Sequence, residues 1–272
     1  PQNITACFHP IYHTRDAVAD VAPDLIRATS GRGGNPADRS TVQIASTIKH
    51  QYHIEPLAHL TCVNSTREHI GLVLDDLREN EVENILALRG DLTPNVPPQT
   101  DYRYACDLIR EIERYGGFDI AAACYPEVHP EARDLEEDIQ HLKEKVDAGA
   151  THLISQLFFD NNDFYSFLYR VRQAGITVPV EAGIMPVTNR KQIERMVSLC
   201  GASLPKKFVR IMHRYGDDPA AMQDAGIAYA VEQIVDLISN GVQGIHLYTM
   251  NNPTVAHRIN QAVASLIRCA NR

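Results

Sequence analysis

No stretch of the 272-residue sequence is apolar for long enough to cross a bilayer. The opening residues, PQNITACFHP, also lack the charged head and apolar core of a secretory signal. The expectation is a cytoplasmic protein that does not enter a membrane. Basic residues are scattered and outnumbered: 26 Lys and Arg against 34 Asp and Glu leave a net charge of −8. That balance excludes the broad basic face that holds nucleic acid, so any bound phosphate needs a local site. The six cysteines, Cys7, Cys62, Cys106, Cys124, Cys200 and Cys269, form no C-x-x-C pair. H-x-H and H-E-x-x-H spacings are missing too. Reduced, mostly buried thiols and no resident metal are therefore expected. Tandem repeats, low-complexity tracts and Ser/Gly linkers are likewise missing, which predicts one domain over residues 1–272.

What the chain does have is an alternation. Short β-branched apolar runs occur at Ile4–Phe8, Leu25–Thr29, Glu55–Leu60, Asn84–Leu88, Ile120–Cys124, His152–Phe158, Val178–Ile184 and Gly244–Tyr248. Amphipathic patterns lie between them. In DLEEDIQHLKEKVDAGA, Leu135, Ile139, Leu142 and Val146 recur at spacings of 4, 3 and 4 and form one stripe, with Gly149 placed to end the helix. Further helices are predicted over 66–80, 102–115, 163–174, 189–199 and 254–268. The long segment from Gly201 to Gly241 holds extra helices before the last strand. Strands alternating with helices build parallel sheets, and eight of them predict an α/β fold of the (β/α)8 TIM-barrel type with extra helices between strands 7 and 8. An open sheet would leave two edges to protect.

Chemistry in such a fold gathers at the C-terminal ends of the strands. Read in order, those ends are Thr29 and Ser30; His59 and Thr61; Arg89, Gly90 and Asp91; Tyr125, Glu127 and His129; Gln156; Gly183 and Pro186; Tyr248 and Asn251. So many hydrogen-bonding groups exceed what strand capping requires and suit a polar, heteroaromatic ligand. Arg89-Gly90-Asp91, a tripeptide often read as an adhesion signal, is on this reading the tip of a buried strand. The glycine run Gly31–Gly34 lacks the spacing of a nucleotide-binding loop and is read as a loop.

PLAHLTC (56–62), ILALRGDLTP (85–94), AACYPEVHPEA (122–132), KEKVDAGA (143–150), ISQLFFD (154–160), GIMPVTN (183–189) and HLYTMNNP (246–253) together resemble the methylenetetrahydrofolate reductase family, in order from about Leu25 to Ala256. The resemblance implies a flavin-bearing barrel that binds FAD without a Rossmann fingerprint, and a role in one-carbon metabolism leading to methionine biosynthesis. It puts Thr29, His59, Arg89, Gly90, Asp91, Tyr104, Ala105, Tyr125, His129, Asp138 and Lys145 around FAD. Without it, Asp138 and Lys145 read as a helix-surface ion pair. It also sets Asp91, Gln156, Gln192, Met196 and Tyr248 against the folate, with Asp91, Gln156 and Tyr248 in catalytic roles. The implied reaction is ping-pong: NADH or NADPH reduces FAD and leaves, and methylenetetrahydrofolate then accepts hydride at its methylene carbon. Self-association or membership of a complex stays open.

The first strand departs from the pattern. The family carries a glutamate there as general acid, in a pattern like S-F-E-x-F-P-P, whereas ITACFHPIY puts Cys7 at that position. A thiol near its usual pKa of ~8.5 is a poor replacement for a carboxylic acid. Three readings follow: His9, Glu127 or Glu181 is recruited as the acid; activity is lowered or altered; or the N-terminal segment is atypical. Met196 stands where an aromatic residue often does, and Asn252 where some members carry a basic one. The rival functions are a non-catalytic flavin- or folate-binding subunit and a metal-dependent barrel hydrolase.

Overall fold

A computed structural model of the protein describes residues 23–28, 40–92 and 100–271, without the side chains of Gln192, Glu194, Arg195, Ser198 and Leu199. The predicted strand Ile4–Phe8, with Cys7 and His9, lies outside these residues, as do Thr29, Ser30 and the glycine run Gly31–Gly34.

The described residues alternate strand and helix: β1 (Leu25–Ala28), α1 (Ser40–Tyr52), β2 (Glu55–Thr61), α2 (Arg67–Glu79), β3 (Asn84–Leu88), α3 (Ala105–Tyr115), β4 (Asp119–Cys124), α4 (Leu135–Asp147), β5 (His152–Ser155), α5 (Asn161–Gln173), β6 (Val180–Ile184), α6 (Arg190–Cys200), α7 (Lys206–Tyr215), α8 (Pro219–Ser239), β7 (Gly244–Leu247) and α9 (Pro253–Ala270). Strand order in the sheet follows chain order from β1 to β7. The pairs β1–β2, β2–β3, β3–β4 and β6–β7 are parallel, with Ala58 opposite Ile85, Ile85 opposite Ile120 and Gly183 opposite His246. Parallel pairing needs a crossover after each strand, and the helices supply it. The extra helices expected before the last strand are α7 and α8. Among the described residues no helix is long and apolar enough to cross a membrane.

The chain separates into two compact units, with β4, α4 and β5 divided between them. The first comprises the described part of Ala22–Ala123 together with Lys143–Leu153. Its strands are apolar without alternation because both faces are covered. Leu57, Ile85, Ala87, Ile120 and Ala121 are buried, and so are the inner faces of α1 (Ala45, Ile48), α2 (Ile70, Leu74, Leu77) and α3 (Leu108, Ile109, Ile112). Local chemistry sets the helix starts. The Thr66 side chain accepts from the His69 N–H at 3.2 Å and caps α2. Asp107 Oδ2 accepts from the Arg103 and Tyr104 N–H groups at 3.0 Å each, so α3 begins at Ala105 and not at the predicted residue 102.

The second unit holds Cys124–Leu142 and Ile154–Arg272. Its core is aromatic. Phe158 stacks on Phe164 with centroids 4.9 Å apart, and Phe159 stacks on Phe208 of α7 at 5.2 Å. Tyr229 of α8 meets Phe208 at 4.9 Å and donates its hydroxyl to the Phe159 carbonyl at 2.6 Å. Burial, then the negative charges of Asp160 and Glu232, push the Tyr229 phenol up to about 12, so it stays a donor. This packing explains why β5 ends at Ser155 and not at the predicted Phe158. Leu157 and Phe159 leave the sheet to join Met185, Val187, Ile193 and Phe208 in one apolar cluster. Replacing Phe164, which is 0% exposed, by Ala removes a stacked ring from this core. The expected cost is about 3–5 kcal/mol, read as a lowered urea midpoint at unchanged slope.

Candidate active site

In the first unit, the ends of β2 and β3 stay joined beyond the strands. The Val63 N–H donates to the Arg89 carbonyl at 2.8 Å, and the Cys62 N–H to the Leu88 and Arg89 carbonyls at 3.2 Å each. The turn at 90 follows at once, with Gly90 at φ +87° and a would-be Cβ only 3.1 Å from Thr61 Cβ. Glycine relieves both constraints. Arg89 folds back so that its Nε donates to the Gly90 carbonyl at 3.4 Å, while Asp91 is exposed. His59 is half-buried on β2 opposite Leu86. Tyr104, 48% exposed, and Ala105 open α3, with the Arg103 guanidinium 5.1 Å above the Tyr104 ring. Lys145 does not lie flat on the helix surface: its Nζ donates to the Ala123 carbonyl on β4 at 2.9 Å. Cys62 is buried. Burial, then Asp107, push its thiol up to about 12, which keeps it protonated and unreactive.

In the second unit, the loop after β4 carries Tyr125 and His129, whose rings meet edge to face at 4.6 Å. The Glu131 N–H donates to His129 Nδ1 at 3.1 Å, so Nε2 is the ring's donor. Asp138, on the first turns of α4, accepts from the His129 N–H at 2.9 Å and ties the loop to the helix. Neither Asp138 nor Lys145 is a plain surface group. Between Tyr125 and His129, Val128 sits at φ +81°, a strained setting for a β-branched residue.

Gln156 follows β5. Its N–H donates to the Cys124 carbonyl at 2.7 Å, and its Oε1 accepts from the Leu157 N–H at 3.0 Å. Tyr248, just past β7, donates its hydroxyl to the Ser155 carbonyl at 2.9 Å. Its ring lies against Gly183, where a Cβ would come 2.8 Å from Tyr248 Cε2 and would run into the Ser155 carbonyl oxygen. Met196 of α6 packs on the Leu157–Phe159 cluster, and the Gln192 side chain lies outside the described residues. A cavity of about 470 Å³ opens beside Thr249, lined by Thr188, Asn189, Gln223 and Asn252 and by no charged side chain. Among the described residues no group of three His, Cys, Asp or Glu converges as metal ligands would.

The profile of the methylenetetrahydrofolate reductase family matches residues 5–264. The chain belongs to that family. It is 34% identical over 249 residues to the 5,10-methylenetetrahydrofolate reductase of Pectobacterium carotovorum, covering 92% of this chain and 83% of that one. The Escherichia coli reductase of the same name is 33% identical with the same coverage. Methylenetetrahydrofolate reductase (NADH) 1 of Arabidopsis thaliana is 34% identical over 89% of this chain, but this chain spans only 43% of its length. Among solved structures, a Clostridium thermocellum protein that binds two copies of 5-methyl-5,6,7,8-tetrahydrofolic acid aligns at a TM-score of 0.60 and 12% identity, covering 93% of this chain and 87% of that one. That likeness speaks for the fold, which is of the TIM-barrel type.

Membership of this oxidoreductase family makes the fate of the family's acid the first question. The matched range begins at residue 5, so the segment with Cys7 falls inside it. Of the two described carboxylates considered as replacements, Glu127 already accepts from the Ser203 N–H at 2.8 Å through one oxygen, while the other is buried without a hydrogen bond. Burial, then Glu127 and Asp160, raise the nearby Asp163 carboxyl. Glu181 is the second residue of β6, short of the strand's C-terminal end, and its carboxylate lies 3.4 Å from His246 Nδ1. Neither stands as a free carboxyl at a strand end. Sequence reasoning missed Ser155 and His246. The only local signals were polar residues inside the apolar strands HLIS and GIHL. Gly183→Ala is expected to displace Tyr248 and lower stability by about 1–3 kcal/mol, the usual cost of overpacking, read as a lowered urea midpoint.

Proposed function

We propose that this chain reduces 5,10-methylenetetrahydrofolate to 5-methyltetrahydrofolate with NADH or NADPH in ping-pong order, as one FAD-binding catalytic domain over residues 1–272 in the cytoplasm. The observation that carries the reading is the family match together with the Arg89-Gly90-Asp91 turn built at the end of β3. The plant relatives carry NADH in their names, which favours NADH as reductant. A non-catalytic subunit is disfavoured by membership of an enzyme family.

The donor chemistry fits a dinucleotide with a charged middle. Arg89 and Lys145 supply localised positive charge in an acidic chain. Tyr104, Ala105 and His59 belong to the same assignment, as does Thr29, which lies outside the described residues. Tyr125, Asp138 and the Nε2 donor of His129 offer flat and polar edges to a heteroaromatic ring system. When bound, FAD supplies two-electron hydride transfer, from the nicotinamide to the folate methylene.

The chain's own residues serve the folate. The exposed Asp91 carboxylate accepts from pterin N–H groups and stabilises the cation that develops as the five-membered ring opens. The Gln156 amide donates to and accepts from the pterin edge, and Tyr248 flanks it with Met196 and Gln192. Ring opening also needs a proton on the leaving nitrogen. With Cys7 at the usual acid's position, that step is expected to be slow, and Cys7→Glu is expected to accelerate it by roughly a hundredfold.

Two measurements test the reading. The purified protein shows a flavin spectrum or takes up added FAD, whereas a colourless protein that takes up none contradicts the cofactor assignment. Reduced protein mixed anaerobically with methylenetetrahydrofolate reoxidises, and Asp91→Asn slows that phase by roughly 10²–10³-fold. An unchanged rate removes Asp91 from the mechanism.

A further inference from the structure

A half-buried carboxylate–imidazole pair inside the sheet of the second unit is used by nothing proposed so far. Glu181 on β6 and His246 on β7 project from the same face of a parallel pair whose register sets Glu181 opposite Gly244 and Gly183 opposite His246. Their side chains are 30% and 11% exposed, with Oε2 and Nδ1 3.4 Å apart. Two residues on, and therefore on the same face, stands Tyr248. The His246 and Tyr248 rings meet edge to face with centroids 4.9 Å apart and planes at 66°.

Tyr248 is thus seated from several sides. Its N–H donates to the Ile184 carbonyl at 2.8 Å, so the backbone is held by β6. Its hydroxyl is tied to the Ser155 carbonyl at 2.9 Å. Gly183 lies along one flank, and its own N–H donates to Ser155 Oγ at 2.8 Å, which fixes the strand against which the ring lies. His246 provides another flank. An apolar side chain would fill that space without taking an imidazole and a carboxylate out of water, and such a pair adds little net stability. What it adds is orientation: an imidazole held between a carboxylate 3.4 Å from its Nδ1 and the tyrosine ring has few settings open to it.

We propose that His246 is a positioning residue for Tyr248, with Glu181 holding the imidazole in the orientation that presses it against the tyrosine ring. The consequence for turnover rests on the function proposed above. The positioning itself does not, and the test separates them.

Site-specific 3-fluorotyrosine at position 248 gives one fluorine resonance that reports the ring's surroundings. His246→Leu is expected to shift it, and Glu181→Gln, which keeps the packing and removes the charge, to shift it in the same direction by less. In steady state, His246→Leu is expected to raise the KM for methylenetetrahydrofolate by roughly two- to tenfold, the worth of an aromatic pair, with kcat held. His246→Leu combined with Tyr248→Leu should be no worse than Tyr248→Leu alone, as for two residues acting through one contact. An unmoved resonance in both variants, or additive effects on KM, overturns the proposal. A shifted resonance in a protein whose parent form does not turn over the folate supports the positioning and removes the proposed function instead.

Discussion

Parallel pairing of neighbouring strands is the constraint on which the rest depends. A parallel pair brings both last residues to one end and requires the chain to return through a crossover before the next strand. In the first unit this joins the end of β2 to Arg89 at the end of β3, through hydrogen bonds that continue past both strands. In the second it ties Tyr248, one residue past β7, to Ile184 at the end of β6. Polar groups are therefore concentrated where strands stop, and the strands themselves can be nearly all apolar.

The glycines at the strand ends follow from that crowding. Gly90 turns the chain at positive φ against Thr61, and Gly183 makes room for the Tyr248 ring beside the Ser155 carbonyl. Val128 holds a conformation that β-branched residues avoid, in a loop fastened by Asp138 and by the bond from Glu131 to His129. Strain of this kind persists only where surrounding bonds over-determine the backbone, and such loops are where a chain spends stability on placing side chains.

Much of the fold was legible in the sequence, because the two periodicities that distinguish strand from helix are local. The stripe Leu135, Ile139, Leu142 and Val146 became α4, and the run Asn84–Leu88 became β3 with the same limits. Boundaries that depend on distant partners were less legible. β5 stops at Ser155 because Leu157 and Phe159 are recruited by α6 and α7, and nothing within ISQLFFD announces that. The strand-end residues were readable as a class, but their working atoms were not. That the Gln156 oxygen accepts from the Leu157 N–H, or that Asp138 accepts from the His129 N–H, follows only from the neighbours each meets. The Glu181–His246 pair was least legible, since it joins residues 65 positions apart through strand register alone.

The family assignment and Cys7 bear on the proposed reaction from opposite sides: the residues proposed to serve it stand at strand ends, while Cys7 holds the sequence position where the resemblance implies a glutamate. The most direct measurement is a steady-state assay on the purified, FAD-loaded protein, with reductant and methylenetetrahydrofolate both varied and 5-methyltetrahydrofolate quantified. The account predicts product formation with parallel double-reciprocal lines, as expected when one substrate reacts and leaves before the other binds. Flavin-loaded protein that oxidises NADH or NADPH yet forms no 5-methyltetrahydrofolate, or lines that intersect, would contradict it.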